Sequence, residues 1–332
     1  MLVNANPASR SSPDTGSKPL AVLGATSALA CDFIRLGAEQ GDNFALFARR
    51  PNAVRQFLQA NGLPEAWLRG TLADFAASAP GEFSAVLNFI GVGDPAKAKE
   101  MGPLILSATL DADKIALDYL KRSPETPYIF MSSGAAYGAA FSQPANDASA
   151  ALFPINGLTP QDYYGIAKLH AETVHRAATG CTILDIRIFS YVSRHLDLEA
   201  RFLIADIVRC ILRDQILETS CQQLWRDYLH PEDFYALVKA CVAAPTGTNR
   251  AVDAYSLAPI DKLTLLDLMA KEFGLRYIFT DQEGGIIATG AKPFYYSESR
   301  AAESLGYKPT RSSADAIREE VGAVLSLSLQ LQ

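Results

Sequence analysis

In the stretch "QDYYGIAKLHAE", Tyr164 and Lys168 stand one helical turn apart, so both side chains emerge on one face. A lysine ammonium beside a phenol favours the phenolate and lowers its pKa, which gives a proton donor and acceptor usable near neutrality. Spacing alone does not assign this role. Thirteen tyrosines supply roughly 0.4 such pairs by chance in a chain of this composition. Tyr235 and Lys239 form a second pair, and the plain reading of either is an amphipathic helix with a surface lysine. Context separates them. Upstream of Tyr164 the run "YIFMS" ends in "SSGAAYG", which puts Ser132 and Ser133 at the carboxyl end of a candidate strand. Ligand sites of open α/β sheets lie at such ends. No such strand precedes Tyr235, which is read as structural.

A second candidate lies near the start, in "LAVLGATSALA". A dinucleotide loop spaced G-x-x-G-x-x-G would place glycine at 24, 27 and 30, where the chain has Gly24, Ser27 and Ala30. Gly24 suits a tight turn, and Ser27 and Ala30 are the next smallest choices. The backbone amides around Ala28 and Leu29 would then face a pyrophosphate at a helix N-terminus. By itself the stretch is also compatible with an ordinary strand–turn–helix that keeps one glycine.

The elements that must carry these residues form a pattern. Short apolar runs at 20–24, 44–48, 85–90, 128–132 and 182–189 alternate with helix-patterned stretches. That alternation is the signature of β-α units on a parallel sheet. Runs that are apolar throughout predict a sheet covered on both faces. Leu29, Phe33, Leu36 and Gly37 mark one face of the first helix, and Ile115, Ala116 and Tyr119 belong to another. After about residue 190 the rhythm loosens into helices and loops.

Composition narrows the class. At 332 residues the chain is long for one core, so one large domain or two closely joined ones are expected. A net charge of −6 and the lack of any Lys/Arg-rich run argue against a nucleic-acid partner. The five cysteines, Cys31, Cys181, Cys210, Cys221 and Cys241, are scattered and form no C-x-x-C, so free thiols in a reducing compartment are expected and a metal cage is not. Residues 1–18 are polar and lack the apolar core of a signal peptide, which predicts a disordered tail. No apolar run is long enough to span a bilayer, and a cytoplasmic location is expected.

A strand-end serine followed by a helix carrying Tyr-x-x-x-Lys resembles the short-chain dehydrogenase/reductase superfamily. More closely, the chain resembles its extended branch, the NAD-dependent epimerase/dehydratase family acting on nucleotide sugars. "WRDYLHPEDFYALV" is similar to the family's R-D-[FY]-[IVL]-H-x-x-D segment, and "SESRAAESLGYKPTRSSADAIRE" to its closing stretch. The resemblance covers nearly the whole chain after the tail. It implies a Rossmann-type doubly wound parallel α/β sheet over 19–190, to which segments of about 225–257 return. A smaller, mainly C-terminal substrate-binding domain over 191–332 completes the expected architecture.

The resemblance also implies roles. Ser133, Tyr164 and Lys168 would be catalytic, with Tyr164 and Lys168 touching the cofactor as well. "GATSALA" becomes a modified dinucleotide loop in which Gly24, Thr26, Ser27, Ala28 and Leu29 meet the cofactor. Asp74 matches an adenine-contacting aspartate, and Gly91 the glycine after the fourth strand. Where an NAD site carries an acid after the second strand, this chain has Arg49 and Arg50, which suit the 2′-phosphate of NADP(H). NAD(H) is the alternative. Arg226 matches the arginine that grips the substrate diphosphate. Ser190 and Ser193 stand where the family has a diphosphate-touching Asn and a Gly, and His195 matches a further substrate-side group. The family's dehydratases carry Asp-Glu where Gly134 and Ala135 stand, so dehydration is not expected. The implied function is reduction of a keto group, at C4, on a nucleotide-linked sugar. The alternatives are an NAD-dependent 4-epimerase and a non-catalytic NADP-binding module. A homodimer formed through two helices, one bearing the tyrosine, is the implied assembly.

Overall fold

The structure, a computed structural model, describes residues 17–91, 98, 100–138, 141–280 and 292–330, with side chains to residue 327. Most of the expected tail thus lies outside the described residues. Seven strands form one parallel sheet in the order β11-β6-β5-β4-β1-β2-β3. They are β1 (Leu20–Leu23), β2 (Phe44–Phe47), β3 (Leu68–Gly70), β4 (Ala85–Asn88), β5 (Tyr128–Ser133), β6 (Ile183–Ile188) and β11 (Asn249–Asp253). β1, β2, β4 and β5 are buried at every residue, which is why they show no polar–apolar alternation and carry polar residues only at the carboxyl ends, at Asn88, Ser132 and Ser133.

Alternate residues still serve different cores, because successive side chains leave a strand on opposite faces. Val22, Leu46, Leu87 and Ile129 pack with helices α1 (Ala28–Glu39), α2 (Pro51–Ala60) and α7 (Pro231–Val242). Leu23, Phe47, Val86, Tyr128 and Phe130 pack on the other face with α3 (Leu72–Ala76), α4 (Leu104–Leu120) and α5 (Asp162–Ala177). The chain turns from one side of β1 to the other between β3 and β4. Their carboxyl ends therefore open a crevice between β1 and β4, the topological switch point.

Two expectations shift. The buried stripe of α1 is Ala30, Phe33, Ile34 and Gly37, with Leu29 and Leu36 at its margin. Gly37 is needed there because a Cβ would come within 2.5 Å of the Phe44 ring. β3 was not among the expected strands, since three residues at a sheet edge leave no readable period.

A second core unites α6 (Leu203–Leu212), α8 (Lys262–Phe273) and α9 (Ser313–Gln330) through Ile207, Val208, Leu266, Met269, Ile317 and Val321. Beside it, β9 (Trp225–Arg226) is flanked by β12 (Ile260–Asp261) and β14 (Phe294–Tyr295). Two further pairs are β7 (Ser190–Tyr191) with β10 (Tyr228–Leu229), and β8 (Ile216–Thr219) with β13 (Arg276–Phe279). No helix among the described residues is long and apolar enough to cross a membrane.

Candidate active site

β5 delivers Ser132 and Ser133 to the carboxyl edge of the sheet, and they diverge there. The Ser132 hydroxyl donates to Glu172 at 2.5 Å and turns into the protein. Ser133 accepts from the Ala135 N–H at 3.2 Å and is hydrogen-bonded to the Tyr164 hydroxyl. Tyr164 can approach because Gly165 follows it. A Cβ at 165 would lie 2.4 Å from the Ala135 carbonyl oxygen, so only glycine lets α5 come this near the turn.

Lys168, one turn on, is buried, donates to the Met131 carbonyl at 2.7 Å and lies 4.4 Å from the centre of the Phe130 ring. Burial pulls its pKa down to about 8, opposed by the carboxylates of Asp113, Glu172 and Asp185. Tyr164 differs from the sequence expectation. Burial pushes its pKa well up, and Ser133 offsets this only in part. The lysine does not dominate because its ammonium faces the β5 backbone, 5.8 Å from the centre of the phenol ring. The phenol is therefore protonated at neutral pH and poised to donate.

The turn from β1 into α1, at the crevice between β1 and β4, has backbone features that a dinucleotide loop uses. Gly24 has φ +80°, and a Cβ there would meet Phe89 and Ile90 backbone atoms at 3.0 Å. Ser27 caps α1 through Ala30 N–H at 3.2 Å, while Thr26 and Ala28 are exposed and Leu29 half-buried. The N–H groups of Ala28 and Leu29 precede the first intrahelical bond and point out of the helix end. Gly91 brings the far wall to Lys168, since a Cβ at 91 would lie 3.4 Å from Nζ. These features fit a bound nicotinamide dinucleotide.

Residues 20–255 match the profile of the family described as the NAD dependent epimerase/dehydratase family. The chain belongs to that family. It is accordingly an enzyme of the extended short-chain dehydrogenase/reductase type. No curated protein matches it in sequence. Solved structures share its fold at low identity. A UDP-glucose-4-epimerase from Stenotrophomonas maltophila, with bound NAD and formylated UDP-arabinopyranose, is 14% identical with a TM-score of 0.75, over 95% of this chain and 100% of that one. The UDP-glucose 4-epimerase of Thermotoga maritima, with UDP-glucose, is 16% identical with a TM-score of 0.72, over 94% and 99%. A UDP-N-acetylglucosamine 4-epimerase from Methanobrevibacter ruminantium is 13% identical with a TM-score of 0.71, over 93% and 99%.

At the other end of this epimerase/dehydratase site stands Arg226. It donates to the carbonyls of Trp225 and Lys292, each at 2.8 Å, and pairs with no carboxylate among the described residues. Its acidic sequence neighbours are engaged elsewhere. Asp227 accepts from Ser256 and Ser313, and Glu232 pairs with Arg311. Burial lowers the Arg226 pKa, and burial with the Arg226 charge pulls Lys292 down to about 8. Asp162 offsets the shift of Lys292 in part, and Arg226 has no carboxylate partner among the described residues, so the pair could hold an anion.

The other expected residues make no hydrogen bond to Ser133 among the described residues. His195 contacts Arg35 on α1, which also pairs with Asp32. Ser190 begins β7, in register with Tyr228. Asp74 caps α3 by accepting from the Thr71 N–H and hydroxyl at 2.6 and 2.7 Å. Arg49 and Arg50 are exposed after β2, without an ion pair among the described residues.

Sequence reasoning missed three groups that close the site. Tyr295 places its hydroxyl 3.3 Å from Ser133 Oγ. Phe189 lies against Gly134, where a Cβ would come within 2.4 Å of its ring. Lys292 sits 4.8 Å from the centre of the Tyr295 ring. Only Phe189 left a signal, as the bulky residue before Ser190 at the end of β6. Among the described residues no group of three or more His, Cys, Asp or Glu could hold a metal.

Proposed function

We propose that the chain is a nucleotide-sugar 4-epimerase. The observation that carries this reading is Tyr164 held on Ser133 at the sheet edge, with no second acid beside them at positions 134 and 135. Once its own proton has left to solvent, the Tyr164 phenolate takes up the proton of the sugar C4 hydroxyl as hydride leaves C4 and returns it as hydride comes back, and Ser133 holds the oxygen while its charge changes. Lys168, charged below about pH 8, supplies a fixed positive charge beneath both. The dinucleotide, held by Gly24, Ala28, Leu29 and Gly91, supplies the hydride acceptor and donor. Arg226, with Lys292 next to it, holds the substrate diphosphate. Elimination of a 6-hydroxyl needs an acid at 134 or 135, and the Phe189 ring leaves no room for one at 134. The structural neighbours named as 4-epimerases, some with NAD, favour epimerisation over the reduction that the sequence put first.

Reduction of a 4-keto sugar by NADPH remains as a second reading because of Arg49 and Arg50. Two exposed guanidinium groups after β2, without an ion pair among the described residues, suit a 2′-phosphate. Assembly as a dimer through α4 and α5 belongs to the same proposal. Extraction of the nucleotide from the purified protein, with product analysis on a panel of UDP-, GDP- and dTDP-hexoses, separates the readings. Retained NAD and a C4 epimer formed without added reductant are the expected results. NADPH consumption with 4-keto substrates and no epimer would replace this reading with the second.

A further inference from the structure

Asp113, Tyr128, His175 and Asp185 are buried polar groups that the mechanism above leaves unused. With Asn88, which ends β4 at the dinucleotide crevice, they form one hydrogen-bonded chain. His175 on α5 meets Asp185 on β6 at 2.6 Å through Nδ1 and Asp113 on α4 at 2.9 Å through Nε2. Both partners are carboxylate oxygens, so each ring nitrogen donates. The Tyr128 hydroxyl donates to the same Asp113 oxygen at 2.7 Å. Asn88 Nδ2 donates to the Tyr128 oxygen at 2.7 Å, and Asn88 Oδ1 accepts from the Ile90 N–H at 2.9 Å.

The direction of this chain is forced. A carboxylate only accepts, so Tyr128 must direct its one proton to Asp113. The phenol oxygen is left as an acceptor and calls for the amide NH2 of Asn88, which turns the amide oxygen toward Ile90. With the amide reversed, its NH2 would face the Ile90 N–H, donor against donor.

Ile90 is where that orientation matters. One residue earlier, the Phe89 N–H is still tied to the Leu23 carbonyl of β1 at 2.9 Å. At Ile90 a side chain takes over from the sheet. A Cβ on Gly24 would meet the Phe89 and Ile90 backbone at 3.0 Å, and one on Gly91 would lie 3.4 Å from Lys168 Nζ. The Ile90–Gly91 backbone is thus wedged between the turn into α1 and Lys168, with little slack on either side.

We propose that Asp113 and Tyr128 are positioning residues for the dinucleotide: they fix the orientation of the Asn88 amide and, through it, the Ile90–Gly91 wall of the crevice. This rests on the dinucleotide reading of the crevice and not on which sugar is turned over.

Calorimetric titration of the full chain, stripped of retained nucleotide, with NAD, NADPH and UDP tests it. The first two report the crevice and UDP the Arg226 site. Tyr128→Phe keeps the ring and cuts the chain, so affinity for the dinucleotide that the wild type binds should fall about 3- to 10-fold, the loss of one neutral hydrogen bond. UDP affinity should not follow. Asn88→Ala cuts one link nearer the wall and should act alike. Asp113→Asn keeps an oxygen that accepts from Tyr128, so dinucleotide affinity should stay within about twofold of wild type. Tyr119→Phe controls for packing, because the Tyr119 hydroxyl is buried in the same core with no hydrogen-bond partner among the described residues. It should leave both affinities as they are. Equal dinucleotide affinity in wild type, Tyr128→Phe and Asn88→Ala would overturn the proposal. A loss as large in Asp113→Asn or Tyr119→Phe would also overturn it, by making the cluster structural only. A wild type that binds neither NAD nor NADPH would remove the dinucleotide reading and this proposal with it.

Discussion

The carboxyl edge of the large sheet and the small β12-β9-β14 sheet face each other across the site and are built in opposite ways. At the edge, Ser133 ends a buried six-residue strand, Gly24 follows a buried four-residue one, and Tyr164 and Lys168 sit on a sixteen-residue helix. Each is fixed by elements whose burial is complete before any ligand arrives. In the small sheet, Arg226 and Tyr295 lie on strands of two residues, tied by a few backbone bonds and by ring contacts. In the proposed function the chemistry is therefore mounted on the rigid half, and recognition on the half with less to lose by moving. A few two-residue ladders cost little to rearrange compared with a buried sheet.

The largest effect should come from the rigid half. Tyr164→Phe removes only the proton donor, so turnover should fall by about 10²–10⁴, with dinucleotide affinity near normal. The control is Tyr235→Phe. Tyr235 and Lys239 share Asp42, at 2.8 and 2.7 Å, and so tie α7 to the turn before β2. That variant should keep its turnover and lose only about 1 kcal/mol of stability. Equal losses of activity in the two would erase the distinction between site and scaffold.

Beneath Lys168, His175 is buried between Asp185 at 2.6 Å and Asp113 at 2.9 Å, and the two carboxylates raise its pKa to about 9. A raised pKa means the folded state holds the proton more tightly than the unfolded chain does. Its contribution is full below about pH 6.5 and is lost as pH rises through about 9. Across that window melting temperature should fall, by a free energy of roughly 3 kcal/mol. His175→Gln should flatten the fall. A wild-type curve already flat between these values would show that the rigid half does not depend on this charge.

In the recognition half, Arg226→Ala should weaken nucleoside diphosphate binding by about ten- to a hundredfold, the worth of a charge-assisted hydrogen bond to phosphate. Dinucleotide affinity should hold, because Arg226 lies outside the β1–β4 crevice. Calorimetric titration of both ligands separates the two, and parallel losses would mean that the halves do not act independently.

The same contrast decides what could be read from the sequence. β1 and β2 announce themselves as uninterrupted apolar runs, β4 and β5 as apolar runs with polar ends, and β6 as one broken by Asp185 and Arg187, while the serine, tyrosine and lysine follow from one strand end and one helical turn. Gly24 was legible because a single φ near +80° leaves glycine as the natural choice. Tyr295 was not, since it reaches Ser133 across 162 residues from a strand too short to have a period. Gly165 gave no sign of its role either, because its requirement is the Ala135 carbonyl rather than a turn. Spacing also misjudged the electrostatics of Tyr164: it places the lysine on the right face, but burial and the Met131 carbonyl decide which charge the phenol feels.

The central claim is a reversible hydride transfer at C4 of a nucleotide-linked sugar, with Tyr164 moving the proton. A nucleotide hexose carrying deuterium at C4, incubated with the enzyme without added reductant, tests it most directly. The prediction is a C4 epimer that retains the deuterium at C4, formed by wild type and abolished in Tyr164→Phe. An epimer that has exchanged its deuterium for solvent hydrogen, or one formed equally well by the variant, would contradict the account.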